Sequence, residues 1–276
     1  MKPLKVMING LPGNMATIVA KHVIKDRRLE LIPESLTGPE ITETEHVVDS
    51  TVISLIGPDK RNQAIKKMKE KQVFFISADF TLPSAVKSNA LFYCDNSLPF
   101  VIGTTGGDRA FLENKVKESS VSAVIAPNMG KQIVGFQAMM EHAAKTFPEM
   151  FKDYSLEIRE SHQHGKADVS GTAKAMVKYF NELGVSFTGD NIVKERNPEI
   201  QKSEWGIPEE HLSGHAWHTY TLVSKDKTVR FEFTHNVNGR DVYAHGTLDA
   251  IIYLNKKIES GVKGEVFTMI DVLKGS

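Results

Sequence analysis

The chain has a single cysteine, Cys94, which excludes an internal disulfide and any cysteine-built zinc cluster. So low a thiol content fits a reducing compartment. Neither sign of charge is in excess, since 34 Lys and Arg meet 34 Asp and Glu for a formal net charge of zero. No global field therefore draws the chain to nucleic acid or to an anionic membrane, and any attraction must be local. No apolar run approaches the roughly 18 uninterrupted residues of a membrane span. No apolar leader with a cleavage site precedes the first strand-like segment, so the expected location is the cytoplasm. Low-complexity tracts and internal repeats are lacking too. What is present, 276 residues at 41% hydrophobic and 25% charged, suits a globular chain with one large or two modest cores.

Short apolar runs alternate with segments of helical period from the start. Lys5–Asn9 reads as a strand and Met15–Lys25 as a helix. Apolar runs recur at Val52–Ile56, Val73–Ser77, Pro99–Gly103 and Ser122–Ala126, with helix-like stretches at 59–71, 83–94 and 108–119 between them. Apolar strands spaced by helices predict a parallel sheet covered on both faces. The pattern changes after Phe187: residues 188–213 are rich in Gly, Asn, Pro, Glu and Lys, and read as a long connection. His215–Val223 and the alternating run Val229–Thr234, joined by Lys225-Asp226-Lys227, then predict a mixed or antiparallel sheet with one open face.

Asn9-Gly-Leu-Pro-Gly-Asn-Met-Ala16 lies between the first strand and first helix, where a dinucleotide-binding turn belongs. Gly10 permits the tight turn and Gly13 lets a pyrophosphate approach the helix N-terminus, with Pro12, Asn14 and Met15 beside them. A plain strand-to-helix turn is the alternative, because Gly10, Gly13 and Ala16 are spaced more loosely than the usual fingerprint. Either Glu34 marks a ribose diol or Ser35-Leu36-Thr37 holds a 2′-phosphate, with Lys60-Arg61 as a further phosphate partner. Asp79-Phe80-Thr81, Gly103-Thr104-Thr105 and Pro127-Asn128-Met129 each follow an apolar strand, at the sheet end where ligands bind. The expected fold is therefore a Rossmann-like α/β domain of residues 1–128 and 246–276, with an α+β substrate domain of residues 129–245.

The densest chemistry lies in Glu160-Ser-His-Gln-His-Gly-Lys-Ala-Asp-Val-Ser-Gly-Thr-Ala173. Ser170-Gly171-Thr172 opens a helix whose free N–H groups and positive dipole end favour a carboxylate or phosphate, and Lys166 adds a full charge. His162 and Lys166 are read as functional groups, since an imidazole beside a cation and a helix opening is more than an isolated histidine. Asp168 is read as a loop or cap residue, and His215, Trp217 and His218 as belonging to a sheet face. No metal is expected, because His162 and His164 lack a cysteine partner or helical spacing.

These motifs, in this order and over nearly the whole chain, resemble dihydrodipicolinate reductase, an enzyme of the diaminopimelate route to lysine. The usual loop reads E-x-H-H-x-x-K-x-D-x-P-S-G-T-A; here Gln163 replaces the second histidine and the residue before Ser170 that would be proline is missing. That shorter form, with His235-Asn-Val-Asn-Gly-Arg240, is similar to the plant-type branch. The resemblance implies hydride transfer from NADPH or NADH, NADPH slightly favoured, to a cyclic dicarboxylate. It implies that Lys166, Ser170, Gly171, Thr172 and Arg240 hold substrate, and that His162 or Lys166 protonates it or stabilises its charge. A homotetramer built through the second sheet is implied as well. The alternatives are another two-domain dehydrogenase of amino or hydroxy acids, which would show oxidative activity, and a non-catalytic dinucleotide sensor, which would bind without turnover.

Overall fold

Val6, Met7 and Ile8 are at most 1% exposed, and this double-sided burial makes Leu4–Asn9 (β1) an interior strand. The structure, a computed structural model, describes residues 2–275. The chain divides into two units: the first runs to Lys131 and resumes at Asp241, and the second is Gln132–Arg240.

In the first unit β1 leads to α1 (Asn14–Lys25), β2 (Leu29–Leu31), β3 (Glu34–Leu36), β4 (Glu45–Val48) and β5 (Thr51–Ile56). There follow α2 (Arg61–Glu70), β6 (Ile76–Asp79), α3 (Val86–Asp95), β7 (Phe100–Ile102), α4 (Arg109–Lys117) and β8 (Ala123–Ile125). The second unit takes in most of α5 (Lys131–Thr146), then β9 (Ser155–His162), α6 (Gly171–Glu182), β10 (Val193–Glu195), α7 (Pro198–Ser203), β11 (His215–Val223) and β12 (Arg230–Asn238). The chain then returns to the first unit with α8 (Asp241–Glu259), β13 (Val266–Phe267) and α9 (Met269–Gly275).

The first unit's main sheet has the order β13-β8-β7-β6-β1-β2, with every pairing parallel. It is a Rossmann-like sheet, and β13 joins it beside β8. One expected member lies elsewhere: β5 belongs to a separate sheet of order β3-β5-β4. Both of its edges are taken there, one by parallel pairing with β3. Asp49, at φ +53°, makes a two-residue turn with Ser50 that folds β5 antiparallel onto β4, pairing Val48 with Thr51. Val52 is accordingly 51% exposed, and only Ile53 of this strand is fully buried. Helix α8 packs so closely on the chain after β8 that a Cβ at Gly246 would run into the Met129 carbonyl.

The second unit's sheet is mixed, in the order β10-β9-β11-β12. Its inner face buries Ile158, Tyr220 and Leu222 with Met176 and Phe180 of α6 and Met140 of α5. The segment read as a long connection contains β10, a polar strand of three residues, and α7. So short a strand has no alternation of its own; it forms because Lys194 pairs with Glu160 of β9. Among the described residues no helix is long and apolar enough to cross a membrane.

Candidate active site

Gly10 takes φ +100°, and a Cβ there would lie 2.7 Å from the Phe80 carbonyl oxygen; one at Gly13 would lie 2.8 Å from the Gly10 oxygen. Both glycines are therefore required by the turn. Gly13 is the N-cap of α1 and supplies no side-chain acceptor, and the first turn carries no acidic residue. The first-turn N–H groups are thus left for an anion. Around them lies a cavity of about 700 Å³, lined by Gly10, Pro12, Gly13, Asn14, Thr37 and Phe80 of the expected set. The charged residues on its wall are Glu40 and Arg61. Arg61 is held by the Phe92 ring, 4.4 Å from its guanidinium carbon, and reaches Asn89 at 3.5 Å. Glu34 does not line this cavity, and neither does Met15.

The cavity floor ties Asn9, Asp79 and Thr81 of the motifs to Asn89 and Tyr93, which the motifs did not single out. Asp79, fully buried, accepts from the Tyr93 hydroxyl (2.7 Å), Asn89 (2.9 Å) and the Thr81 N–H and hydroxyl (2.9 and 2.6 Å). Asn9 donates to Tyr93 at 2.9 Å and accepts the Leu36 N–H at 2.9 Å. Burial, then the neighbouring Asp79, pushes the Tyr93 hydroxyl well above the usual tyrosine range, so it stays a donor. The network joins the ends of β1, β3 and β6 to α3.

The remaining nicotinamide-side candidates divide. Thr104 and Pro127 line a hollow of about 270 Å³, whereas Gly103, Thr105, Asn128 and Met129 do not. Gly103 lies flat against the Phe80 ring, with no room for a side chain. The hydroxyls of Thr104 and Thr105 are already engaged, donating to the Thr81 and Pro127 carbonyls at 3.0 and 3.2 Å. They brace the loops, and each hydroxyl's one donor is committed there. Asn128 accepts from the Gly130 N–H, and Met129 is buried.

In the second unit, β9 extends through His162, so Glu160 and His162 belong to a strand and not to the loop. Ile158, Glu160 and His162 alternate onto the buried face, at 0%, 0% and 6% exposure. Register places His218 of β11 opposite Glu160, and His235 of β12 opposite His218. A polar row thus lies next to the apolar row Ile158, Tyr220 and Phe233. The His162 and His218 rings meet edge to face at 5.1 Å, and His218 stacks on His235 at 4.7 Å.

Burial, followed by the charges of Arg196 and Lys166, brings the His162 pKa down to about 3. His162 is therefore neutral near pH 7 in the free protein. Its Nδ1 is buried and unpartnered, 3.6 Å from the Glu160 carboxylate and too far for a hydrogen bond. Burial likewise depresses His235 to about 4 and His218 well below the usual histidine range.

Ser170 caps α6, accepting the Ala173 N–H at 3.0 Å, and its hydroxyl also pairs with His218 Nε2 at 2.8 Å. Its side chain is thus engaged within the protein, and Asp168, an exposed residue, is not the N-cap. The first two helical residues, Gly171 and Thr172, are left with N–H groups that α6 does not use. A Cβ on Gly171 would meet no atom within 4 Å, so the space before these groups is open. Lys166 sits on the intervening turn, and its charge reaches His162. Arg240, at the end of β12, packs its guanidinium over Gly214. Arg196 is the contributor that sequence reading misses, whereas Glu160 is read only as part of the loop and His218 only as a sheet-face residue.

Donor atoms of Glu160, His162 and His218 lie within 4.8 Å of one another, as in a metal trio. Of these, the Glu160 oxygens are engaged by Arg196 and the Ser170 N–H, and His218 Nε2 by Ser170, whereas His162 Nδ1 and His218 Nδ1 have no partner among the described residues.

Residues 4–129 match the family model described as dihydrodipicolinate reductase, N-terminus, and residues 133–273 match that described as dihydrodipicolinate reductase, C-terminus. The 4-hydroxy-tetrahydrodipicolinate reductase 2, chloroplastic, of Arabidopsis thaliana is 46% identical over 271 residues, 98% of this chain and 77% of that protein. The probable 4-hydroxy-tetrahydrodipicolinate reductase 1, chloroplastic, of Oryza sativa subsp. japonica is 44% identical over 269 residues, 98% and 78% of the two chains. The solved structure of the dipicolinate-bound dihydrodipicolinate reductase from Paenisporosarcina sp. TG-14 shares the fold, with a TM-score of 0.67 over 97% of this chain and 98% of that one at 19% identity.

Proposed function

The chain belongs to the dihydrodipicolinate reductase family, and from that premise we propose how its residues reduce 4-hydroxy-tetrahydrodipicolinate or dihydrodipicolinate with NAD(P)H, in the diaminopimelate route to lysine. The carrying observation is the turn from β9 into α6, where Lys166, His162 and the free N–H groups of Gly171 and Thr172 form one anion seat. Lys166 and those N–H groups bind a ring carboxylate, and Ser170 holds the helix end in place through its cap. When bound, NAD(P)H supplies the hydride. Lys166 neutralises and protonates the ring as charge develops, and neutral His162 orients it. No metal is proposed: the Glu160 carboxylate serves Arg196 and the Ser170 N–H, and the proton and charge roles fall to Lys166.

The residues of the first unit suit a dinucleotide: an uncapped α1 N-terminus, glycines that admit no side chain, and a cavity with one guanidinium on its wall. NADPH is the proposed partner, with Arg61 and Thr37 at its 2′-phosphate. With substrate generated by the upstream synthase, the protein oxidises NADPH only when that substrate is present. Arg61→Ala raises KM for NADPH roughly 10- to 100-fold, the worth of a charged hydrogen bond, and leaves NADH nearly unchanged. Equal effects on both cofactors would refute the Arg61 assignment.

We also propose a homotetramer built through the second unit's sheet, in the cytoplasm, although the plant relatives are named as chloroplastic. Among the described residues, the nine-residue strand β12 ends that sheet with an unpaired edge, on which Phe231 is 42% exposed. Sedimentation at working concentration is expected to give four times the 30.7 kDa chain mass, and a monomer would remove the proposal.

A further inference from the structure

Residues 195–201 lie outside every motif, yet they hold the turn that carries Lys166. Arg196 Nε donates to the Lys166 carbonyl at 2.8 Å. One of its Nη atoms donates to the Glu195 carbonyl at 2.8 Å and, at 3.5 Å, to that of Glu160. The other donates to the Glu160 carboxylate at 2.5 Å. The second Glu160 oxygen accepts the Ser170 N–H at 3.1 Å. Five residues on, Gln201 donates to the His162 carbonyl at 2.7 Å. The entry, middle and exit of the 163–169 turn therefore all bear on one carboxylate–guanidinium pair, with Glu160 at 0% and Arg196 at 18% side-chain exposure.

We propose that Arg196, acting through Glu160, is a positioning residue: it fixes Lys166 and the α6 N-terminus relative to His162, so that the dicarboxylate seat is formed before substrate arrives. The inference deepens the reductase reading and rests on it. Only a planar guanidinium can serve three carbonyls and a carboxylate at once; an ammonium keeps the charge and loses the fork.

The pair also shapes the field at His162. The groups that face this ring are Glu160 on its own strand, His215 and His218 on β11, His235 on β12, Lys166 on the turn, and Arg196. Arg196 and Lys166 disfavour its protonation. Without the guanidinium, the Glu160 carboxylate, 3.6 Å from Nδ1, is left to favour it.

The test compares Arg196→Ala and Arg196→Lys by steady-state kinetics in the coupled assay, by NADPH titration, and by NMR titration of the His162 ring. In Arg196→Ala, kcat/KM for the dicarboxylate is expected to fall about 100-fold, through a raised KM as the seat loosens and a lowered kcat as Lys166 is displaced, with NADPH affinity unchanged. His162 is expected to titrate higher by roughly one unit or more. Arg196→Lys should return the His162 titration toward its original position while KM stays high. Unaltered KM in either variant overturns the proposal, as does full recovery by lysine. If Arg196→Ala does not fold, Arg196→Lys carries the test alone. Absence of turnover in the unaltered protein would instead overturn the reductase reading, leaving the His162 titration as the measure of Arg196.

Discussion

Replacing Lys166 with methionine is expected to lower kcat by about 10³-fold, the scale of a general acid that also stabilises developing charge. Methionine keeps most of the side-chain length and removes the ammonium, so the loss reads charge more than packing. Affinity for NADPH should hold, because the dinucleotide cavity is lined entirely by first-unit residues. The assignment of the proton to Lys166, and not to His162, rests on the buried ring, which burial and the two nearby cations keep neutral down to about pH 3. Profiles of kcat/KM against pH report the free enzyme. They are therefore expected to lack a limb near 6.5 that belongs to His162. A limb there that vanished in His162→Gln would make His162 the protonated donor and Lys166 a binding group.

The parts of the site that were legible in the sequence are those whose chemistry is local. Gly10 and Gly13 could be read because a tight turn at a helix start needs residues without a side chain, and both backbones require this. Lys166, Gly171 and Thr172 could be proposed because a cation beside an opening helix suits an anion, and the structure puts Lys166 on the turn before α6 and Gly171 and Thr172 in its first turn. Arg196 could not. Its partner Glu160 is 36 residues earlier, and the two meet only because β10, with no alternation to reveal it, pairs parallel with β9. His218 is an intermediate case. Alternation with Tyr220 and Leu222 places it on the buried face, but its position opposite Glu160 is a matter of register, which no single strand displays. Ser170 shows the limit of residue type as a guide, for its hydroxyl is engaged by Ala173 and His218. The fold followed the same rule: β5 left the main sheet because β3 and β4 take its two edges, the latter through a turn at Asp49 that has no glycine.

Acidification is expected to unfold the second unit well before the carboxylates alone would require it. His162 and His235 have folded pKa values of about 3 and about 4, and those of His218 and His215 are lowered too, with burial the first cause in each. The unfolded chain, where histidine titrates near 6.5, thus binds more protons than the native one between roughly pH 6.5 and those folded values. Stability must therefore fall as pH drops through that window, and it is unaffected by these groups above it. At pH 4.5, His162 and His235 together are expected to remove about 5 kcal/mol, a large share of the stability of an ordinary domain. The chain's tryptophans, Trp205 and Trp217, both belong to the second unit, so their fluorescence reports this transition directly. Urea titrations at pH 7 and 4.5 should show the midpoint falling steeply. Replacing His235 with leucine should flatten the dependence by about one proton, because the group that must stay neutral is gone. A midpoint that does not move between the two pH values would mean that these rings take up protons within the folded protein. The neutral state of His162, from which the role of Lys166 is argued, would fall with it.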